Sequence, residues 1–215
     1  MTKHSFALGA GLLVSFAITA PVMAGSHTWD IVEVFSNGDG TIQFVELKEC
    51  CGGANETGLG NKYVRSTATG NQLVFPANLP AGSTANAHIL LGTAAFAALP
   101  GAPKPDHIIV SNFFSTTAEP FPGIEYWTYD DFVFSAGMLP TNGKDSLNRV
   151  GANYAPGPNS PTNFAGESGN VDACPWDLDG DGTTGINDFL DLLADWGKPY
   201  GINDFLELLA AWGSC

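Results

Sequence analysis

The sequence predicts a mainly β protein, a β-sandwich or barrel followed by a small helical unit. Three observations carry that expectation: short strand candidates punctuated by Gly and Pro from Trp29 to Arg149, a change of composition between Gly151 and Asp172, and a repeated amphipathic segment beyond it.

The first element is a hairpin. Asp30-Ile-Val-Glu-Val-Phe-Ser alternates up to a Ser-Asn-Gly-Asp-Gly turn over Ser36 to Gly40, and Thr41 to Glu49 follows with Ile42, Phe44 or Val45, and Leu47 available for a core. Further strands are expected over Tyr63–Thr67, Gln72–Phe75, His88–Leu91, His107–Val110, Ile124–Thr128, Phe132–Ser135 and Ser146–Val150. Thr93 to Leu99 is alanine-rich and reads as a turn or two of helix ended by Pro100-Gly101. A stretch of about 125 residues suffices for one core of this kind. Between Gly151 and Asp172 no helix or strand period survives, and three prolines favour an extended spacer on which Phe164 can still dock.

The N-terminus reads as an export signal. Met-Thr-Lys-His is followed by an apolar run from Phe6 to Ala20 and by Val22-Met23-Ala24, small residues where a signal peptidase cuts. The run is shorter than the ~20 residues a spanning helix needs, and no later stretch spans a bilayer. The expected organisation is therefore a leader over 1–24, a β domain over 25–150, a linker over 151–172 and a helical module over 173–215, with no transmembrane span in the mature chain. Such a chain is secreted, extracellular or at the cell surface, with the periplasm a further possibility.

Charge narrows the partners. One of the 8 basic residues, Lys3, lies in the leader and none of the 22 acids does, which leaves the mature chain at −15. Nucleic acid is excluded, because its phosphates need a basic surface. Asp172 to Cys215 holds nine acids against the single base Lys198, a concentration of carboxylate that recruits a cation. Four cysteines in an exported chain favour oxidation. Cys174 and Cys215 bracket the acidic unit, where a bridge would staple a segment too small to hold a core unaided. For the adjacent Cys50 and Cys51 a vicinal bridge, two thiols or an outward pairing all remain open.

Within the acidic unit, Gly185-Ile-Asn-Asp-Phe-Leu-Asp-Leu-Leu-Ala-Asp-Trp-Gly197 recurs as Gly201-Ile-Asn-Asp-Phe-Leu-Glu-Leu-Leu-Ala-Ala-Trp-Gly213. Ile186, Phe189, Leu190, Leu193 and Trp196, with Ile202, Phe205, Leu206, Leu209 and Trp212, fall at helical spacing and form one face per copy. Asn187 and Asn203 suit the N-cap, and Gly197 and Gly213 the stop. Such faces are buried against each other or against a partner, and Phe189, Leu193, Trp196, Phe205, Leu209 and Trp212 are the partner-binding candidates.

Ahead of the first copy, Asp177-Leu-Asp179-Gly-Asp181-Gly182-Thr-Thr-Gly-Ile-Asn-Asp188 places carboxylates at positions 1, 3, 5 and 12 of a twelve-residue loop, with Gly at position 6. Calcium is a hard ion that takes six to eight oxygens, and this EF-hand spacing wraps a loop around it. The expected ligands are Asp177, Asp179, Asp181, the Thr183 carbonyl and Asp188. Unscreened, the carboxylates repel, so loop order and metal occupancy should be coupled. An unpaired extracellular loop of this kind binds with a dissociation constant on the order of 10⁻⁴ to 10⁻³ M.

Loop then helix, with no entering helix and Asp at position 12, resembles the type I dockerin module. The resemblance covers Cys174 to Cys215 and implies calcium ligation by the five residues named. It also implies docking to a cohesin-like or other extracellular protein. The second copy departs from it: with Asp204 at position 12, position 1 falls on Leu193 and position 5 on Gly197, so the helix is kept and the calcium loop is missing. Thr184 stands where the family carries an aliphatic residue. Asp30-Ile-Val-Glu-Val-Phe-Ser with Gln43-Phe-Val-Glu-Leu is similar to the opening strands of lamin-tail-type immunoglobulin-like sandwiches of exported bacterial proteins, and Ser146-Leu-Asn-Arg149 and Asn159-Ser-Pro-Thr-Asn-Phe164 resemble features of such proteins. That likeness implies an adhesive or structural module.

No catalytic constellation emerges. Glu46, Glu49, Glu125, Asp130 and Asp131 read as strand-face or edge charges rather than a glycosidase pair. His27, His88 and His107 lack metal-ligand spacing, and there is no nucleophile elbow or phosphate loop. Tyr126, Trp127 and Tyr129 form an aromatic cluster able to stack on a sugar ring. The reading is a non-catalytic secreted protein with a β-sandwich and a calcium-stabilised anchoring module. The alternative is a component of polysaccharide breakdown, an enzyme or a carbohydrate-binding accessory.

Overall fold

The computed structural model describes residues 25–117, 123–135 and 137–215; the leader read over 1–24 lies outside them. Strands β1 (Trp29–Ser36) and β2 (Gln43–Glu49) form the expected hairpin, paired from Trp29↔Glu49 to Ser36↔Gln43 with a bulge between Ile31 and Glu33. Then follow β3 (Tyr63–Ser66), β4 (Gln72–Val74), β5 (His88–Thr93), helix α1 (Ala94–Ala97), β6 (His107–Ile109), β7 (Gly123–Tyr126), β8 (Asp130–Val133), β9 (Asp145–Val150) and β10 (Asn153–Pro158). A six-stranded sheet runs β10-β9-β1-β2-β5-β6, and a four-stranded sheet runs β4-β3-β7-β8. The first step after β5 is a parallel crossover to β6 through α1, whose first turn is capped by Thr93 Oγ1 accepting the Phe96 N–H at 3.2 Å.

Period-two alternation decides what each strand buries. Ile31, Leu47 and Ile89 from the larger sheet meet Val64, Ile124 and Phe132 from the smaller one in a shared core, all at most 1 % exposed. Burial of each such side chain contributes roughly 1.5–3 kcal/mol. On the outer face of the larger sheet Phe35 stacks on Phe44 at 5.2 Å, with Phe96 and Val171 beside them.

The segment from Gly151 is more structured than its composition indicates. Strand β10 pairs with β9 from Asn153↔Val150 to Pro158↔Asp145 at the sheet edge, where Pro156 and Pro158 are tolerated because an edge strand can spare donors. That is why the period was hidden. Asn159, 2 % exposed, then donates to Lys144 O and Val171 O and accepts from Val171 N. Two carboxylates facing each other across β1 and β2, Glu33 and Glu46, hold the next residues. Glu33 accepts from Ser160 N (2.8 Å), Ser160 Oγ (3.0 Å) and Ser146 Oγ (2.7 Å), and Glu46 accepts from Thr162 N (2.7 Å). Phe164 packs against the core.

Beyond this strap come β11 (Thr183–Thr184), α2 (Ile186–Ala194), α3 (Ile202–Ala210) and β12 (Gly213–Ser214), with β11 paired to β12. The N-caps are Gly185 and Gly201 and not the expected Asn187 and Asn203, because Asp188 and Asp204 reach back to bond the cap N–H. Among the described residues no helix is long and apolar enough to cross a membrane.

Candidate metal centre

Asp177 opens the loop and is fully buried. Its Oδ1 accepts the N–H groups of Gly180 (2.9 Å) and Asp181 (3.0 Å), and its Oδ2 accepts that of Gly182 (3.1 Å). The chain can fold back so tightly because Gly182 sits at φ +87°, a region a side chain rarely enters. Asp188, 1 % exposed, closes the loop: Oδ1 accepts from Leu178 N and Asp179 N, and Oδ2 from Gly185 N at 2.6 Å. Burial works against the charge on Asp188, but these backbone donors outweigh it and hold its carboxyl below the usual range.

Carboxylate oxygens of Asp177, Asp179 and Asp188 lie within 4.8 Å of one another. No Lys, Arg or His forms an ion pair with any of the three among the described residues. Two nearly buried carboxylates and a third, without a counter-ion, fit a cation held by oxygen donors. Asp181 is not part of this group: its Oδ1 is turned onto the backbone N–H and hydroxyl of Thr183, at 2.8 and 2.6 Å. A second grouping, Cys174, Asp177 and Cys215, offers no thiolate, since the two sulfurs are bonded to each other.

The loop rests on the two-sheet body. Lys144, in the turn before β9, donates from Nζ to the Asp177 carbonyl at 2.8 Å, and Ala173 N donates to Gly143 O at 2.8 Å. Gly38, in the β1–β2 turn, and Gly143 are so close to the Cys174–Cys215 bridge that an added Cβ would lie 2.9 Å from the Cys215 backbone and 2.8 Å from Cys174 Cβ. The C-terminal residues close the other side: Thr183 pairs with Ser214, Thr184 with Gly213, and Cys215 N donates to Gly182 O. Thr184, the departure from an aliphatic residue, is buried with its hydroxyl 3.9 Å from Cys174 Sγ. Lys144 and the β12 closure carry no local sequence signal, because both act across long separations.

The helical faces differ from expectation. The apolar residues that α2 and α3 bury fully are Leu192 and Leu208, outside the expected stripe. Phe189 and Phe205 meet at 5.4 Å, and Trp196 lies 6.5 Å from Phe205. The rest of the stripe, Leu193, Leu209 and Trp212 included, is 43–61 % exposed. With α2 and α3 touching mainly through their phenylalanines, the two stripes bury little of each other.

Four of the five carboxylates named as glycosidase candidates are engaged elsewhere. Glu46 contacts His88 Nδ1 at 2.6 Å, Glu125 pairs with Arg65, and Asp130 takes Arg149 and the Ile31 N–H. Glu49 is buried yet falls to about 2: desolvation opposes its charge, but N–H donors from Asn86, Gly53 and Cys51 prevail. Cys50 and Cys51 are bridged to each other next to it. Tyr126 is buried and donates to Ser26 O, while Tyr129 is 45 % exposed. No protein-family model, curated protein or solved structure matches this chain.

Proposed function

We propose that the chain is an exported, non-catalytic protein in which an immunoglobulin-like β-sandwich of binding or structural type carries a calcium-stabilised, dockerin-like anchoring module. The observation that supports it best is the convergence of Asp177, Asp179 and Asp188 within 4.8 Å, unpaired by any base among the described residues, directly before an amphipathic helix with an open apolar face. Oxygen-only donors favour calcium over softer metals. When bound, calcium supplies the positive charge that lets these carboxylates share one site. Asp177, Asp179 and Asp188 would hold the ion and so tie the loop entrance to the first turn of α2. Asp181 and the Thr183 carbonyl are proposed to turn in as further ligands.

The reading is tested by circular dichroism of the purified chain titrated with calcium and then with EDTA. Helix signal should rise with millimolar calcium, fall with chelator, and respond to neither in Asp177→Ala. A spectrum indifferent to both additions, with the Cys174–Cys215 bridge reduced so that it cannot hold the helices alone, overturns it.

A further inference from the structure

The apolar stripes of α2 and α3 repeat the same residues in the same order. Equivalent positions of the two copies carry the same side chains at almost the same exposure: Ile186 and Ile202 at 59 and 61 %, Leu190 and Leu206 at 55 and 56 %, Leu193 and Leu209 at 43 and 46 %, Trp196 and Trp212 at 47 and 49 %. Between the helices Phe189, Leu193, Trp196, Ile202 and Phe205 line an apolar groove of about 190 Å³. From this geometry we propose that the occupant of the face is a second copy of the chain, the two helical pairs closing into a four-helix arrangement about a twofold axis.

A twofold interface requires one patch that is complementary to itself. A face built from two equivalent halves meets that requirement, because α2 of one copy can lie where α3 of the other presents the same residues. The area is sufficient: eight large apolar side chains, each about half exposed, offer on the order of 800 Å² per copy, the share each partner contributes to a standard interface. Helical pairs with uncovered apolar stripes bury them in this way in four-helix bundles. A lipid surface is a poorer occupant, since the module from Asp172 has Lys198 as its single base and would be repelled by anionic headgroups. Charge works against the pair as well. Asp191 and Glu207 lie on the same helices and Asp195 caps the end of α2, but exposed charges are screened beyond about 8 Å at physiological salt. The association therefore tightens with added salt, whereas docking to a basic partner weakens.

This proposal names the partner for the anchoring module and rests on that reading for the ordered helical pair. The experiment is sedimentation velocity of the purified full chain from about 1 to 200 μM, with calcium or EDTA, at low and high sodium chloride. Expected is a dimer whose dissociation constant falls as salt rises, and which Leu193→Glu or Leu209→Glu weakens at least tenfold while leaving calcium binding unchanged. Both residues are exposed enough for the variants to fold. A monomer up to 200 μM with calcium binding intact overturns the dimer and leaves the calcium reading standing. A dimer untouched by either substitution, or dissolved by salt, overturns the proposed face. A dimer in a chain that binds no calcium supports the face and overturns the calcium reading instead.

Discussion

Residues 185–197 and 201–213 differ at two positions, Asp191/Glu207 and Asp195/Ala211, yet one copy ends a candidate metal loop and the other does not. Their helices are alike: nine residues each, begun at a glycine, with the same buried leucine and the same exposed stripe. Asp188 and Asp204 make the same capping bond, to Gly185 N at 2.6 Å and Gly201 N at 2.7 Å. The difference lies in the second carboxylate oxygen. That of Asp188 receives Leu178 N and Asp179 N from the loop ahead of it, and Asp188 is 1 % exposed; Asp204 has no such loop and is half-buried. One sequence thus specifies a capped helix, and only the preceding residues bring its cap into the candidate carboxylate cluster. The second copy instead delivers β12, which closes the first copy's loop.

The largest way to break this contrast is Asp177→Ala. It removes a buried carboxylate that accepts three N–H bonds, and calcium affinity should fall by roughly a hundredfold, about 3 kcal/mol. A fluorescent chelator competition measures it. The converse change supplies what the second copy lacks: a copy of residues 177–184 inserted ahead of Gly201 should raise the stoichiometry from one calcium to two in the same assay.

Two buried carboxylates, Asp188 and Glu33, are driven in opposite directions by their surroundings. Asp188 is held low because backbone donors outweigh its desolvation. Glu33, 3 % exposed, is pushed up to about 6, because burial outweighs its bonds from Ser146 and Ser160 and Glu46 adds repulsion. Its folded pKa lies above the unfolded value, so its contribution to stability is complete below about pH 4.5 and is lost as pH rises through 6. Glu33→Gln, whose carbonyl oxygen can keep the bonds from Ser146 Oγ and Ser160 N while its amide donates to Ser160 Oγ, should flatten that part of the pH profile, a difference of roughly 2 kcal/mol in urea unfolding between pH 4.5 and 7.5. The smallest effect is Asp204→Ala: it removes a cap worth about 1 kcal/mol and leaves calcium binding unchanged, read by thermal unfolding beside calorimetry.

Local pattern made much of the molecule legible. The hairpin from Trp29 to Glu49 follows from alternation around Asn-Gly-Asp-Gly, and the carboxylate spacing alone marks the loop from Asp177 to Asp188. What stayed hidden depends on distance. Strand β10 is masked by its prolines, and the strap after it is held by Glu33 and Glu46, more than 110 positions away in sequence. The expected caps failed for a local reason: an aspartate one residue beyond each asparagine reaches the cap N–H, which a β-region glycine presents without obstruction. Asp181, at a ligand position by spacing, bonds Thr183 instead, since the N–H and hydroxyl two residues on are the donors an Asp in a turn reaches first.

Whether the Asp177–Asp188 loop holds an ion is decided by isothermal calorimetry of the purified chain against calcium, with magnesium as comparison. One calcium per chain, with a dissociation constant on the order of 10⁻⁴ to 10⁻³ M and no heat in Asp177→Ala, is the predicted result. No heat at millimolar calcium, or the same heat from wild type and Asp177→Ala, contradicts it.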